Sequence, residues 1–218
     1  MIMLKTKIAA FDEAKQQQLT KDVLKTMDVA TYKLKASGLE SNCLNTGQTA
    51  PNFTLPDNTG ELFTLSQATE QQTIVISFYR GGWCPYCNME LEALQTMLPK
   101  IEATGAKLIV ISPELPEKAT ETKQRNGIEF TILHDEGNKL AKRFGLVFSL
   151  DKSLRPIYHD FDLDIPNYNG DTSYSLPIPA TYIISKGNKI MADFIDADYT
   201  KRMEPSQIVA DLNQMIGN

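Results

Sequence analysis

The sequence contains few of the residues on which several classes of protein depend. Three of its 218 residues are cysteine and two are histidine, so a disulfide framework is not expected. Acidic residues (27) outnumber basic ones (22), and the net charge of −5 argues against nucleic-acid binding. No apolar run is long enough to span a membrane, and Met1 to Ala10 does not have the pattern of a signal peptide. We therefore expect a cytoplasmic globular protein with one sizeable domain and an extension.

The strongest local pattern lies between Ile74 and Leu98. Ile74 to Tyr79 is an almost unbroken apolar run, which is typical of a buried strand in a parallel sheet, and Gly81-Gly82 ends it. Apolar residues then recur at helical spacing up to Pro99, at Leu91, Leu94, Met97 and Leu98. The sequence Cys84-Pro85-Tyr86-Cys87 therefore lies where a strand gives way to a helix.

This position favours ionised thiols. If Cys84 is the cap residue, Pro85 takes the first helical position, where its missing N–H costs nothing, and Cys87 lies in the first turn. Free backbone N–H groups and the helix dipole can lower a thiol pKa there to roughly 3.5 to 7.5. One thiolate would attack a substrate and the other would resolve the product. The alternatives are two inert buried cysteines, or half of a zinc site whose other ligands would come from Cys43, His134 and His159; we expect no metal.

Residues 1 to 45 are predicted to be a helical extension, separate from a domain over residues 46 to 218. Thr20 would cap a helix that ends at Gly38, with one apolar face made by Val23, Met27, Ala30 and Leu34. This face would pack on the domain or on a second copy of the chain, so a homodimer is one expectation. Cys43 follows in a polar connector, where it is either an incidental cysteine or a mobile thiol that reaches the main pair.

The rest of the chain alternates strands with helices, which predicts an α/β fold with parallel crossovers. A hairpin on the edge of the main sheet is predicted from Gly47, with its turn at residues 57–60. Further strands are predicted at Lys107 to Ser112 and Phe130 to Leu133, and helices at residues 113–127 and 138–144. An acidic, solvated insertion from Ser149 to Leu176 with a short helix near Ser153 precedes a hairpin (residues 181–195) and a last helix that starts at Pro205.

This order of elements resembles the thioredoxin fold, a central mixed sheet flanked by helices. Trp83-Cys84-Pro85-Tyr86-Cys87 is similar to the W-C-x-x-C of thioredoxins and the C-P-Y-C of glutaredoxins. The APNFTLPD segment and Cys87-Asn-Met-Glu90 resemble the alkyl hydroperoxide reductase and thiol-specific antioxidant (peroxiredoxin) family. The greatest likeness is to a peroxiredoxin-like subgroup with three motifs, which here span Arg80 to Cys87, Leu176 to Ile184 and Asp196 to Pro205.

The resemblance implies roles for several residues. Matched to peroxiredoxins, Cys87 takes the place of the attacking cysteine and Cys84 that of a threonine, while Pro179 stands where a partner arginine would fall. Arg80, Arg202 or Arg155 would have to replace that arginine, and Arg80 is the preferred substitute. By analogy with thioredoxins the Ile178–Pro179 bond would be cis. Trp83 and Tyr86 flank the sulfur atoms and would shield or receive a substrate.

The resulting prediction is an oxidoreductase that reduces hydrogen peroxide or organic hydroperoxides through a Cys84/Cys87 dithiol–disulfide cycle. Its reductant would be thioredoxin or a glutathione-type thiol, and it would need no cofactor beyond the redox-active disulfide. One alternative is a protein disulfide oxidoreductase in which Cys84 attacks first. Others are a redox sensor that changes partners on oxidation, and a Cys–His–Asp nucleophile that uses His134 and Asp135.

Overall fold

Strands and helices alternate along the chain, as the computed structural model shows for residues 3–217. The strands are β1 (Thr54–Pro56), β2 (Leu62–Thr64), β3 (Ile74–Phe78), β4 (Lys107–Ser112), β5 (Thr131–His134), β6 (Val147–Ser149), β7 (Ser175–Pro177), β8 (Ala180–Ser185) and β9 (Lys189–Ile195). The α-helices are α1 (Leu4–Gln18), α2 (Lys21–Ala36), α3 (Leu65–Gln71), α4 (Pro85–Glu102), α5 (Pro116–Arg125), α6 (Lys139–Arg143), α7 (Leu154–Asp160), α8 (Ile165–Asn169) and α9 (Pro205–Ile216).

The central sheet has the order β5-β4-β3-β8-β9. β3 pairs in parallel with β4, and β4 with β5, whereas β8 and β9 run antiparallel to their neighbours. Helices connect the parallel strands, which is the crossover that parallel pairing requires. The mixed sheet, the parallel crossovers and the late hairpin agree with the sequence prediction.

The two faces of this sheet explain the unbroken apolar runs of its strands. Val75 packs on one face with helices α1, α4 and α9, while Ile74 and Ile76 pack on the other with α3 and α6. Because helices cover both faces, neither face of β3 can be polar. The chain therefore passes from the core, at the carboxyl end of β3, through a short turn to the start of α4.

Two smaller sheets flank the central one. β1 and β2 form the predicted hairpin, and Asp57 bridges to Leu133 on the edge strand β5. β6 and β7 close the base of the insertion, which also contains α7 near the predicted position. No separate pattern predicted α3, α8, β6 or β7, because each is short and held by packing rather than by a long periodic pattern.

The N-terminal segment is helical, as predicted. The Thr20 hydroxyl accepts the Val23 N–H at 3.4 Å, and Gly38 has a φ of +74° just after α2. Leu4 and Ile8 belong to the same buried cluster as α4, so this segment packs on the rest of the chain. Whether residues 1–45 form a separate unit stays a prediction, as does the homodimer; residues 1, 2 and 218 lie outside the described part. No helix in residues 3–217 is long and apolar enough to cross a membrane.

Candidate active site

The strand–turn–helix around the cysteine pair forms as the sequence predicts. Cys84 is the N-cap of α4 with extended φ and ψ of −89° and 116°, and Pro85 takes the first helical position. Gly81 has a φ of +143°, which a side chain rarely adopts. A Cβ on Gly82 would lie 1.8 Å from Thr122 Oγ1, so only glycine fits at this second position.

A buried carboxylate holds the turn before the cysteines. Glu114 follows β4, accepts the Gly82 N–H at 2.8 Å and also accepts a hydrogen bond from the Tyr79 hydroxyl. Thr122 Oγ1 is a third donor at 3.4 Å. Burial raises the pKa of Glu114, and these hydrogen bonds oppose the shift. Because Gly82 lies two residues before Cys84, this carboxylate fixes the path of the chain into the pair.

The two cysteines are reduced, adjacent and unequal. Cys84 is 2% exposed and Cys87 is fully buried. Burial alone would raise the pKa of Cys84, but hydrogen bonds from Cys87 and the charges of Arg80 and Arg202 outweigh it and lower that pKa to about 5. Burial and the neighbouring Cys84 instead raise the pKa of Cys87 well above its ordinary value. The two thiols therefore titrate as a coupled pair that loses one proton far more readily than the other, and the lowered pKa is that of Cys84.

Arg202 contacts Cys87 from the far end of the sequence. Its Nη2 lies 3.5 Å from Cys87 Sγ, and its Nη1 forms an ion pair with Glu90 on the next turn of α4. Both partners of that ion pair are buried. Of the three arginines considered from the sequence, Arg202 is the one in contact with a cysteine sulfur, whereas Arg155 lies over the ring of Tyr174 in the insertion.

Arg80, the preferred substitute, is held by aromatic rings. Its guanidinium carbon lies 4.9 Å from the ring centre of Trp83 and 4.6 Å from that of Tyr199, and its Nη2 donates to the Tyr158 hydroxyl at 2.9 Å. The side chain is 2% exposed, and its Nε has no hydrogen-bond partner. Its charge nevertheless stabilises the Cys84 thiolate. Stacking on rings positions a cation without neutralising it.

The N-terminal extension reaches the site through Tyr86. The Tyr86 hydroxyl donates to Asp12 at 2.5 Å and accepts from Lys15 Nζ at 2.7 Å, and its ring packs edge-on against Phe11. Burial and the Asp12 carboxylate raise the Tyr86 pKa. One of the two residues between the cysteines is therefore held by contacts with α1.

A cavity of about 440 Å³ opens over Cys84. Its lining is largely apolar and combines the extension, the redox motif and the insertion: Phe11, Leu19, Met27, Trp83, Phe161 and Tyr199 are among its walls. Cys84, Arg80 and Lys15 also line it, whereas Cys87 does not. A ligand in this cavity meets Cys84 first.

Pro179 lies outside this cavity and its peptide bond differs from the expectation. It lines a second cavity of about 230 Å³, into which Arg80 and Tyr199 also extend. There is no cis peptide bond in the described residues, so the cis Ile178–Pro179 bond was wrong. The trans form is the usual state of an X–Pro bond, and the analogy with thioredoxins does not carry over at this position.

The other candidate residues have structural partners. Cys43 is buried on the opposite face of the sheet, where its thiol contacts the Gly145 carbonyl, so it is not a mobile thiol. Burial raises its pKa to about 11. His134 Nδ1 pairs with the Glu114 carbonyl, and the Asp135 carboxylate accepts N–H groups at the start of α6. No group of three or more potential metal ligands occurs in residues 3–217.

Several site residues were missed from the sequence. Glu114 carried a usable signal, because it follows β4 and the carboxyl ends of neighbouring parallel strands meet at one edge of the sheet. Glu90 and Arg202 lie in motifs that carried the resemblance, but nothing local pairs them. Tyr158 was predicted in the short helix of the acidic insertion, but its contact with Arg80 was not, and Lys15 lies in a helix without a strong apolar pattern.

Comparisons with known proteins support the resemblance to the peroxiredoxin family. The model of the AhpC/TSA family matches residues 46–192. Peroxiredoxin Bcp of Escherichia coli (strain K12) is 30% identical over 105 residues, which are 48% of this chain and 67% of that protein. Chloroplastic Peroxiredoxin Q of Populus jackii is 32% identical over 111 residues, 51% of this chain and 52% of the relative.

Solved structures share the fold. The crystal structure of peroxidoxin BcpB from Mycobacterium tuberculosis has a TM-score of 0.62 at 19% identity and covers 79% of this chain and 98% of its own. Peroxiredoxin 6 of Arenicola marina has a TM-score of 0.62 at 18% identity, and the match covers 79% of this chain and 74% of that one. The expected thioredoxin fold is thereby confirmed, and the sequence relatives favour the peroxidase over the disulfide oxidoreductase and the sensor. The chain belongs to the AhpC/TSA family of thiol-dependent peroxidases.

Proposed function

We propose that this protein reduces hydroperoxides with Cys84 as the attacking thiolate and Cys87 as the resolving thiol. The observation that supports this order of attack is the cavity over Cys84, because Cys84 lines the cavity and Cys87 does not. The low pKa of about 5 supports it, since the thiolate is the nucleophilic form. This order reverses the one that the peroxiredoxin resemblance implies, in which Cys87 attacks.

The chemistry follows from the positions of the groups. The Cys84 thiolate attacks one oxygen of ROOH, the O–O bond breaks, and the departing alkoxide takes up a proton to give ROH. Arg80 lines the same cavity, so its charge would stabilise the negative charge that develops on the leaving oxygen. Cys84 is left as a sulfenic acid.

Cys87 then closes the cycle. Its thiol, hydrogen-bonded to Cys84 in the reduced protein, attacks the sulfenic sulfur, and water leaves as the disulfide forms. A dithiol reductant of the thioredoxin type returns two electrons and two protons. We propose this donor in preference to glutathione from the resemblance. We also propose the cytoplasmic location that was expected from the sequence.

Single serine variants test the order. Cys84→Ser and Cys87→Ser are each treated with one equivalent of peroxide and with dimedone, and adducts are located by mass spectrometry. We expect an adduct on Cys84 in Cys87→Ser and none on Cys87 in Cys84→Ser. An adduct on Cys87 in the latter would restore the opposite order, and no adduct in either variant would reject peroxide reduction. Cys43→Ser is the matched control and should turn over like the parent protein.

A further inference from the structure

Two buried arginines flank the cysteine pair, and they differ in their counter-charges. Arg202 has the Glu90 carboxylate as a buried partner. Arg80 forms no ion pair with a carboxylate in residues 3–217, and its one side-chain hydrogen bond within that range goes to the Tyr158 hydroxyl. Glu114, a buried carboxylate that also holds this turn, is already bonded to Tyr79 and Gly82. The negative charge that balances Arg80 is therefore the Cys84 thiolate.

Oxidation removes that balance. When the pair becomes a disulfide, the Cys84 thiolate and the Cys87 thiol together lose two electrons and one proton, and the sulfur atoms no longer carry charge. A guanidinium does not lose its proton in a protein, so Arg80 stays positive. A buried charge without a partner is unfavourable, and an anion that reaches it would be bound tightly.

The surroundings of Arg80 admit such an anion and define its chemistry. Arg80 lines both the 440 Å³ and the 230 Å³ cavities. The larger cavity is walled by apolar and aromatic side chains and is within the size range of ligand pockets. Lys15 also lines the larger cavity but is paired with Asp12, whereas Arg80 has no carboxylate partner among the described residues. One such cation beside apolar walls suits one negative charge on an apolar chain.

We infer that the disulfide form of this protein binds an aliphatic carboxylate, with the carboxylate on Arg80 and the chain in the cavity over Cys84. In the dithiol form the Cys84 thiolate already balances the charge of Arg80, and its own negative charge repels the ligand. By linkage, a ligand that prefers the disulfide form also shifts the thiol–disulfide equilibrium toward the disulfide by the same factor. The carboxylate would thus retain the protein in its oxidised state.

This inference rests on the proposed function only in requiring that the pair can form a disulfide. In the test, diamide makes the disulfide chemically, two thiols being oxidised as diamide is reduced to its hydrazine. Failure to reduce peroxide therefore leaves the binding measurement intact. Trp83 is the single tryptophan of the chain and packs on Arg80, so its fluorescence reports ligand binding in each redox form.

Octanoate and 1-octanol, of equal chain length, are titrated into both forms. We expect octanoate to bind the disulfide form about ten to a hundred times more tightly than the dithiol form, the contribution typical of a hydrogen bond to a charged group. Octanol should bind both forms within about twofold. Equal octanoate affinity in both forms, or an equal preference shown by octanol, would overturn the inference without any variant.

Two variants then locate the charge. Arg80→Gln should remove the redox preference of octanoate, and Lys15→Gln should retain it. Lys15 is the informative comparison because it lines the same cavity but is already paired with Asp12 and Tyr86. Loss of the preference in Lys15→Gln, with retention in Arg80→Gln, would assign the carboxylate to the extension and refute the role of Arg80.

Discussion

Arg202 Nη2 lies 3.5 Å from Cys87 Sγ, although the two residues are 115 positions apart in the sequence. The other end of the same guanidinium is paired with Glu90. Arg202 therefore supplies charge to the sulfur pair while its own charge is partly satisfied. This arrangement differs from that of Arg80, whose balance depends on the redox state of Cys84.

Replacing Arg202 by glutamine should raise the pKa of Cys84 and slow its alkylation. A rise that carries the pKa above the assay pH lowers the thiolate fraction about tenfold per unit, so iodoacetamide at pH 6 should react correspondingly more slowly. The variant should also lose about 3–5 kcal/mol of unfolding free energy, because Glu90 is left as an unpaired buried charge.

The double variant with Glu90→Gln separates the two effects of Arg202→Gln. It should recover stability but not reactivity, since it removes the unpaired carboxylate without restoring the positive charge. If reactivity returns together with stability, Arg202 acts through folding alone. The measurements are urea denaturation and the pH profile of alkylation.

The stability of the reduced protein should rise with pH because of Cys84. Its pKa is about 5 when folded and about 8.5 in an unfolded chain, so between these values the unfolded state binds a proton that the folded state does not. The free energy of unfolding should then increase by up to about 1.4 kcal/mol per pH unit relative to Cys84→Ser, and the gain should be lost as pH falls through 5. Urea titrations under reducing conditions at pH 5, 6, 7 and 8 measure the difference, and parallel pH curves for the two proteins would contradict it.

Cys43 should be unreactive in the native protein. Its thiol is buried, and the pKa of about 11 leaves little thiolate at neutral pH. Brief alkylation at pH 7 should label Cys43 at least about a hundredfold more slowly than Cys84, as read from peptide mass spectra. In denaturant the two rates should approach each other; fast native labelling of Cys43 would show that this face of the sheet opens.

Gly82→Ala should destabilise the turn through a steric clash. The new Cβ would meet Thr122 Oγ1 at 1.8 Å and Arg125 Nη2 at 2.9 Å, and overpacking of this kind costs about 1–3 kcal/mol. Gly217→Ala is the matched control, because its Cβ would meet nothing closer than 3.7 Å. Thermal unfolding of both variants gives the comparison, and equal stability would mean that α5 can shift to make room.

Tyr86→Phe should loosen α1 without disturbing α2. The variant loses the hydrogen bonds to Asp12 and Lys15 but keeps the ring contact with Phe11. We expect a loss of about 1 kcal/mol and faster amide exchange within Leu4–Gln18, with Lys21–Ala36 as the internal reference. Unchanged exchange in α1 would show that apolar packing alone holds the extension.

The local parts of the site could be predicted from the sequence, and the long-range parts could not. Cys84 as N-cap and Pro85 at the first helical position follow from chain-local geometry, which nearby residues determine. The difference between the two thiols does not, because the helix dipole acts on both alike. It arises from the hydrogen bond between the two thiols, which lowers the pKa of Cys84 and raises that of Cys87, and the charge of Arg202 acts on both sulfur atoms from the other end of the domain.

The insertion illustrates the same limit. Its aspartates predicted a solvated loop, and Asp160 and Asp162 are indeed exposed. Tyr158 in the same segment is buried and bonded to Arg80, a role that composition cannot indicate. The charged residues on the exposed side of this segment determined the prediction, whereas the contact with Arg80 is made from its buried side.

The distance in sequence between Cys87 and Arg202 also sets when the protein becomes reactive during its synthesis. The β3–α4 segment is made long before residue 202, so the cysteines exist for that period without the guanidinium that contacts Cys87. Without that guanidinium, their thiols have the reactivity of ordinary cysteines and react slowly with peroxide. A nascent chain is thus protected from oxidation of its own cysteines until its last helix is ready to pack.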